Sequence, residues 1–253
     1  MCLLKVKNLS VESRTGDKKN PLRLLKQVNL TVKKNKITAL IGESGAGKTM
    51  FARAVSALLP EKVYITSGNF FYEGKEVDFN WLKKFRAKEI FYSPQNAAAS
   101  LNPVIRIKKQ INEVSKISGP SLIETLKFLN IAEPLKLLNA YPFELSEGEN
   151  QRALLAMAIA IKPRLLILDE PASSLDGDSR LDFMELIKNL PQRYAVSILL
   201  ITHNLSIVRH IADNIYVILQ GEIVESGEPA AIFRNPSHAY TKEIVELLLS
   251  CAN

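Results

Sequence analysis

Apolar residues along the 253-residue chain gather into short runs at 37–42 (ITALIG), 90–93 (IFYS), 165–169 (LLILD), 196–202 (VSILLIT) and 214–219 (NIYVIL), each bounded by turn-forming or charged positions. Runs of this length without polar alternation predict strands buried on both faces. Between several of them, at 48–59, 179–190 and 205–211, apolar positions return every three or four residues, which predicts amphipathic helices. Strand and helix in alternation predict an α/β fold with a parallel sheet covered by helices.

Two stretches depart from that rhythm. At the front, Leu4, Val6, Leu9 and Val11, then Leu24, Val28, Leu30 and Val32, lie on either side of the polar turn TGDKKNP at 15–21, which predicts an antiparallel appendage. From about 96 to 163, helical patterns at 104–117, 121–130 and 149–161 are broken by Pro103, Pro120, Pro134 and Pro142, which predicts a helical insertion in the sheet. The expected organisation is a single domain over 1–253. Its core comprises 1–95, antiparallel part included, and 164–253, and its helical part 96–163.

With 47% apolar and 23% charged residues, a disordered tail is excluded. The two cysteines, Cys2 and Cys251, stand at opposite ends and offer neither metal-ligand spacing nor a disulfide framework. No apolar run reaches the roughly 18 residues a membrane span requires, and the N-terminus alternates where a signal peptide needs a continuous apolar stretch. A reducing cytosol is therefore the expected compartment. The formal charge of +7 suits a nucleic-acid binder, but its distribution weakens that reading. Residues 1–38 hold ten basic and two acidic side chains, leaving 23 basic against 24 acidic in the rest. The positive charge belongs to the front end alone.

Directly after the run at 37–41 comes Gly42-Glu43-Ser44-Gly45-Ala46-Gly47-Lys48-Thr49, which satisfies G-x-x-x-x-G-K-[ST] and opens a helical pattern. Glycines let successive backbone N–H groups turn inward around phosphate oxygens, and the helix N-terminus adds partial positive charge. On this reading Lys48 reaches the β- and γ-phosphates of a nucleoside triphosphate, and the Thr49 hydroxyl takes a place on Mg²⁺. The run at 165–168 ends in Asp169-Glu170 before Pro171. Two carboxylates thus stand at the C-terminal edge of a parallel strand, where open α/β sheets bind ligands. Asp169 is expected to support the metal and Glu170 to act as general base for the attacking water. His203 ends the next strand in the same topological position, which says little by itself, since a lone histidine is commonly a surface or cap residue.

In order and spacing these residues resemble the nucleotide-binding subunits of ATP-binding cassette (ABC) transporters, over nearly the whole chain. Gln95 follows IFYSP as the family's Q-loop glutamine does. Leu145-Ser146-Glu147-Gly148-Glu149 stands in place of the LSGGQ signature, with Gln151-Arg152 after it. LLILDEP is similar to the Walker B strand with its catalytic glutamate, Ser174-Leu175-Asp176 to the D-loop and His203 to the H-loop. The resemblance implies a P-loop NTPase: a RecA-like parallel sheet core with an N-terminal antiparallel β subdomain and an inserted α-helical subdomain. It implies ATP and Mg²⁺ as cofactors, with Gly42, Glu43, Ser44, Gly45, Ala46, Gly47, Lys48 and Thr49 around the phosphates. The metal falls to Thr49, Gln95 and Asp169, and catalysis to Lys48, Gln95, Glu170 and His203, the last holding the γ-phosphate. Ser146 and Gly148 cap the nucleotide of a second subunit in a head-to-tail pair, across which Asp176 communicates.

Ser100-Leu101-Asn102-Pro103, Tyr141-Pro142-Phe143-Glu144 and the segment from Phe233 to Thr241 are similar to parts of the peptide and nickel importers. The implied function is ATP-driven uptake of peptides, nickel or other metal chelates at the cytoplasmic face of the cell membrane. The implied partners are two membrane permease subunits, a second related ATPase subunit and an extracellular substrate-binding protein, and no nucleic acid.

Two departures carry expectations of their own. The signature reads LSEGE, so Glu147 and Glu149 add negative charge beside the place of a partner's triphosphate. That impairs the partner's site and favours a heterodimer, unless both side chains point to solvent. The aromatic residue the family carries after its first strand is missing from Val11-Glu12-Ser13-Arg14-Thr15, where the planar guanidinium of Arg14 is the candidate replacement. The basic front end is expected to rim the nucleotide entrance. Two other classes compete: a soluble cassette ATPase acting on nucleic acid or ribosomes, which the basic front end suits, and a regulatory module that holds ATP without hydrolysing it, which the altered signature suits.

Overall fold

The computed structural model describes residues 1–14, 21–115 and 119–250; Thr15, Lys18, Lys19 and the rest of the predicted turn up to Asn20 lie outside them, as does Cys251. Strands β1 (Cys2–Ser13) and β2 (Leu22–Lys33) pair antiparallel, as their near-alternation predicts. The alternation slips once, between Val6 and Leu9, and the chain absorbs the slip as a bulge. Asn8 takes a φ of 50° and the register against β2 shifts there, so Leu4, Val6, Leu9 and Val11 are all buried. After β3 (Ile37–Ile41) and α1 (Lys48–Val55) come β4 (Val63–Tyr72), β5 (Lys75–Val77) and α2 (Phe79–Phe85). With β4 on the other side of β1, an antiparallel sheet forms in the order β2-β1-β4-β5.

From β6 (Ile90–Ser93) the chain passes through α3 (Ile107–Val114), α4 (Pro120–Phe128), α5 (Pro134–Asn139) and α6 (Glu147–Ile161) before returning at β7 (Leu165–Asp169). It continues as α7 (Gly177–Tyr194), β8 (Ser197–Ile201), α8 (Leu205–Ile211), β9 (Asn214–Leu219), β10 (Glu222–Gly227), α9 (Pro229–Arg234) and α10 (Ala239–Ser250). The second sheet runs β10-β9-β3-β8-β7-β6, parallel throughout except for the β9–β10 pair.

Every residue of β3, β7 and β8 is buried, the result of cover on both faces. The pleat divides their side chains between two cores. Leu166, Leu168, Ile198 and Leu200 join α6, α7 and the inserted helices, while Leu165, Ile167, Leu199 and Ile201 join α1 and the antiparallel sheet.

These strands agree with the sequence reading to within a residue, and the helices less closely. α1 stops at Val55, short of 59, because Ala57 turns to a φ of 52° and Pro60 follows. α3 begins three residues past the predicted 104, beyond Pro103. α6 begins at Glu147 and α7 at Gly177, each two residues early, because Ser146 and Asp176 cap them. β4, β5, β10, α2, α5, α9 and α10 were not foreseen.

Candidate active site

In a parallel sheet all C-terminal strand ends share one edge, and the order β3-β8-β7-β6 sets four segments side by side there. They are the glycine loop, Thr202-His203, Asp169-Glu170 and Pro94-Gln95. Two glycines in the loop are sterically required. A Cβ on Gly42 would stand 2.2 Å from the Ile218 carbonyl oxygen, and one on Gly47, whose φ is 107°, would stand 2.8 Å from Leu25 Cδ2. The loop therefore lies directly on β9 and β2. No side chain caps the start of α1, which leaves its first amides as anion donors.

Lys48 is buried, and its ammonium donates to the Gly42 carbonyl at 2.6 Å and the Glu43 carbonyl at 2.8 Å. Burial lowers its pKa, against the opposing pull of Glu170, Asp169 and Glu43. Asp169, 2% exposed, accepts from the Thr49 hydroxyl at 3.2 Å and the Tyr92 hydroxyl at 2.9 Å. Burial pushes its carboxyl above the ordinary value, although both hydroxyls favour the charged form. The Tyr92 hydroxyl is raised in turn, by burial first and by Asp169 second.

Glu170 has a left-handed backbone, φ 50°, with its N–H on the Ile201 carbonyl at 2.8 Å. This turn aims its side chain at the end of β8, where Oε2 accepts from the Thr202 hydroxyl at 3.2 Å and Oε1 lies 2.8 Å from His203 Nδ1. The imidazole itself is largely exposed. Gln95 joins the group from the β6 side, its amide donating to Ser173 Oγ at 3.4 Å.

The signature residues start α6. The Ser146 hydroxyl accepts from the Glu149 N–H at 3.2 Å, and Glu149 Oε2 accepts from the Ser146 N–H at 2.9 Å, a reciprocal cap. Glu147 Oε1 accepts from the Ser174 hydroxyl at 3.3 Å. Both glutamates are thus bonded within their own chain. Asp176 caps α7, and bonds from the Ser179 N–H and hydroxyl hold its carboxyl below the ordinary value.

The C-terminal segment also reaches the loop. Glu225 of β10 accepts the N–H groups of Ser237 at 2.7 Å and His238 at 3.0 Å, seating the start of α10. Tyr240 then packs with Ala39 and Ile41 of β3, its hydroxyl beside the Glu43 backbone.

The profile of a family described as ABC transporter matches residues 25–173, more than half of the chain. The chain belongs to the ABC transporter family. Among its ABC relatives, the oligopeptide transport ATP-binding protein OppD of Bacillus subtilis is 36% identical over 251 residues, covering 94% of this chain and 70% of that protein. The dipeptide transport ATP-binding protein DppD of Escherichia coli is 33% identical over 259 residues, covering 98% and 79%. The metal-staphylopine import system ATP-binding protein CntD of Staphylococcus aureus (strain NCTC 8325 / PS 47) is 31% identical over 256 residues, covering 97% and 93%. Two solved ABC cassettes share the fold. A dimeric post-hydrolysis state of the cassette MJ0796 bound to ADP and Pi gives a TM-score of 0.75 at 23% identity, covering 90% of this chain and 99% of that one. CbiO1 of Clostridium perfringens gives 0.77 at 23%, covering 98% and 99%.

Within this ABC fold, residues 42–49, Asp169, Glu170 and His203 come together, and Gln95 reaches them through Ser173. Ser146 and Gly148 lie at the start of α6, beside Ser174 and Leu175. Tyr92 and Thr202 escaped the sequence reading, and Tyr240 stood within the segment similar to the importers without a place at the loop. Thr202, between a buried strand and His203, offered a signal by position; a single tyrosine within IFYS offered none. Arg14, the candidate for base stacking, lies with its guanidinium 4.8 Å over the Tyr64 ring, so the planar group is itself backed by an aromatic face.

Proposed function

We propose that this chain is the ATP-binding and ATP-hydrolysing subunit of an ABC importer that takes up peptides or metal chelates, nickel among them. The observation that carries this is the meeting at one sheet edge of three features: an uncapped helix start behind a glycine loop, a buried carboxylate with two hydroxyl donors, and a second carboxylate paired with a histidine. The names of OppD, DppD and CntD support the cargo class.

On this reading the amides of residues 42–49 hold the triphosphate, and the Lys48 ammonium exchanges two loop carbonyls for phosphate oxygens. The donors nearby suit a hard cation: the Thr49 hydroxyl and Asp169 carboxylate already touch, and Gln95 is the third candidate. Among the described residues no three of His, Cys, Asp and Glu gather as a metal cluster, and Thr49, Asp169 and Gln95 are the residues that would hold magnesium. When bound it supplies positive charge against the phosphate oxygens.

Glu170 accepts the proton of the attacking water, its carboxylate held in place by Thr202 and His203. His203 steadies the γ-phosphate, and Ser146 and Gly148 serve the nucleotide of a second, related ATPase subunit, with Asp176 at the junction. Residues 1–95 and 164–253 act as the nucleotide-binding core and 96–163 as the helical signature part. No helix among the described residues is long and apolar enough to cross a membrane. In this scheme two permease subunits cross it, this chain sits on their cytoplasmic face, and an extracellular binding protein delivers cargo.

Uptake measurements test the assignment. A strain lacking this chain should lose accumulation of a labelled oligopeptide or of chelated nickel, the wild-type sequence should restore it and Lys48→Ala should not. Full uptake of both cargoes in the deleted strain contradicts the proposal.

A further inference from the structure

Between Glu170 and α7 the chain makes an irregular turn, residues 171–176, that α6 holds from the side. The Ser173 N–H donates to the Glu170 carbonyl at 3.2 Å, so the turn is continuous with the backbone of the candidate general base. At its centre the Ser174 hydroxyl accepts from Gln151 Nε2 at 3.1 Å and donates to Glu147 Oε1 at 3.3 Å. Gln151 is 4% exposed, and its Nε2 faces Ser174 while its Oε1 is buried without a hydrogen-bond partner. A serine hydroxyl has one proton, and with Gln151 as donor on one side, that proton goes to Glu147. Leu175, 5% exposed, completes the contact: a Cβ on Gly148 would stand 3.5 Å from its Cδ2.

We propose that Glu147 is a positioning residue for Glu170. By accepting the Ser174 proton within its own chain, it joins the first turn of α6 to the segment that follows the general base, so that displacement of the inserted helices moves Glu170 with them. Glycine at position 147, the residue expected there from the signature pattern, has no side chain to make this bond. The inference rests on the reading of Glu170 as the base.

The test uses the full chain in the complex with which it purifies, with two readouts: ATP turnover against ATP concentration, and amide hydrogen exchange of residues 171–176 without nucleotide. Glu147→Ala is expected to lower kcat about fivefold, the factor equivalent to one net hydrogen bond of about 1 kcal/mol, while KM for ATP stays near wild type. Exchange in the turn should quicken. Glu147→Gln keeps an acceptor oxygen and should recover most of both losses, and Glu147→Ala combined with Ser174→Ala should cost no more than either alone. Turnover and exchange unchanged or turnover raised in Glu147→Ala overturns the proposal, as does Glu147→Gln behaving like Glu147→Ala. If instead Glu170→Gln hydrolyses ATP as fast as wild type, the reading of the base fails, and the exchange data alone then decide whether Glu147 holds the turn.

Discussion

Asp169 sits where its charge is least comfortable and most useful. Burial raises its carboxyl above the ordinary 3.8, so in the folded chain the ionised form is disfavoured relative to the unfolded one. The contribution of this group to stability is therefore greatest below pH 3.8 and is lost as pH rises through the elevated folded value. Asp169→Asn does not titrate. Its Tm without nucleotide is expected to match wild type at acid pH and to exceed it near neutrality, while the stabilisation added by ATP with magnesium disappears; parallel thermal melts across pH check both. At Gly42 the constraint is space, since a methyl group would overlap the Ile218 carbonyl. Gly42→Ala should lower unfolding stability by about 2–4 kcal/mol in urea titrations and abolish binding of an ATP analogue. Lys48, Thr49, Asp169 and Glu170 were legible as candidates because a phosphate loop and a strand-end carboxylate pair demand fixed residue types at fixed places, whereas His203 was legible only through the resemblance to the family. Tyr92 was not, because a hydroxyl donor to the buried Asp169 carboxylate can come from many positions.

At the scale of elements, buried strands were the most legible features, since cover on both faces leaves an unbroken apolar run such as Leu165 to Leu168. β4 was hidden by the opposite circumstance. Its centre reads Thr66-Ser67-Gly68-Asn69 and is largely exposed, so neither alternation nor a continuous run marks it. At α2, α6, α7 and α8 a side-chain cap sets the helix start, most clearly at α6. There Glu149 replaces a glutamine of the usual signature, yet the residue at N3 of a capping box serves equally as Glu or Gln. Glu149→Gln is accordingly expected to leave stability within about 0.5 kcal/mol of wild type, and Glu149→Ala to cost about 1 kcal/mol, by chemical denaturation. A larger loss with Gln than with Ala would contradict the capping role.

For the molecule as a whole, the charge asymmetry of the sequence takes on a different meaning in the fold. Arg23, Lys26, Lys34 and Lys36 pair with Glu12, Glu222, Glu73 and Asp213, and Lys7 and Arg14 lie over the rings of Phe71 and Tyr64. Much of the described front-end charge thus fastens β1 and β2 to their surroundings, and only in part can it rim a nucleotide site. The exposed pairs add little individually. On the proposed function, the sheet edge formed by β3, β8, β7 and β6 is an ATPase site whose base is Glu170. This assignment is tested most directly by steady-state hydrolysis and nucleotide retention in the assembled complex carrying Glu170→Gln. ATP should still bind, and turnover should fall by roughly 10²–10⁴. Undiminished hydrolysis in that variant would contradict it.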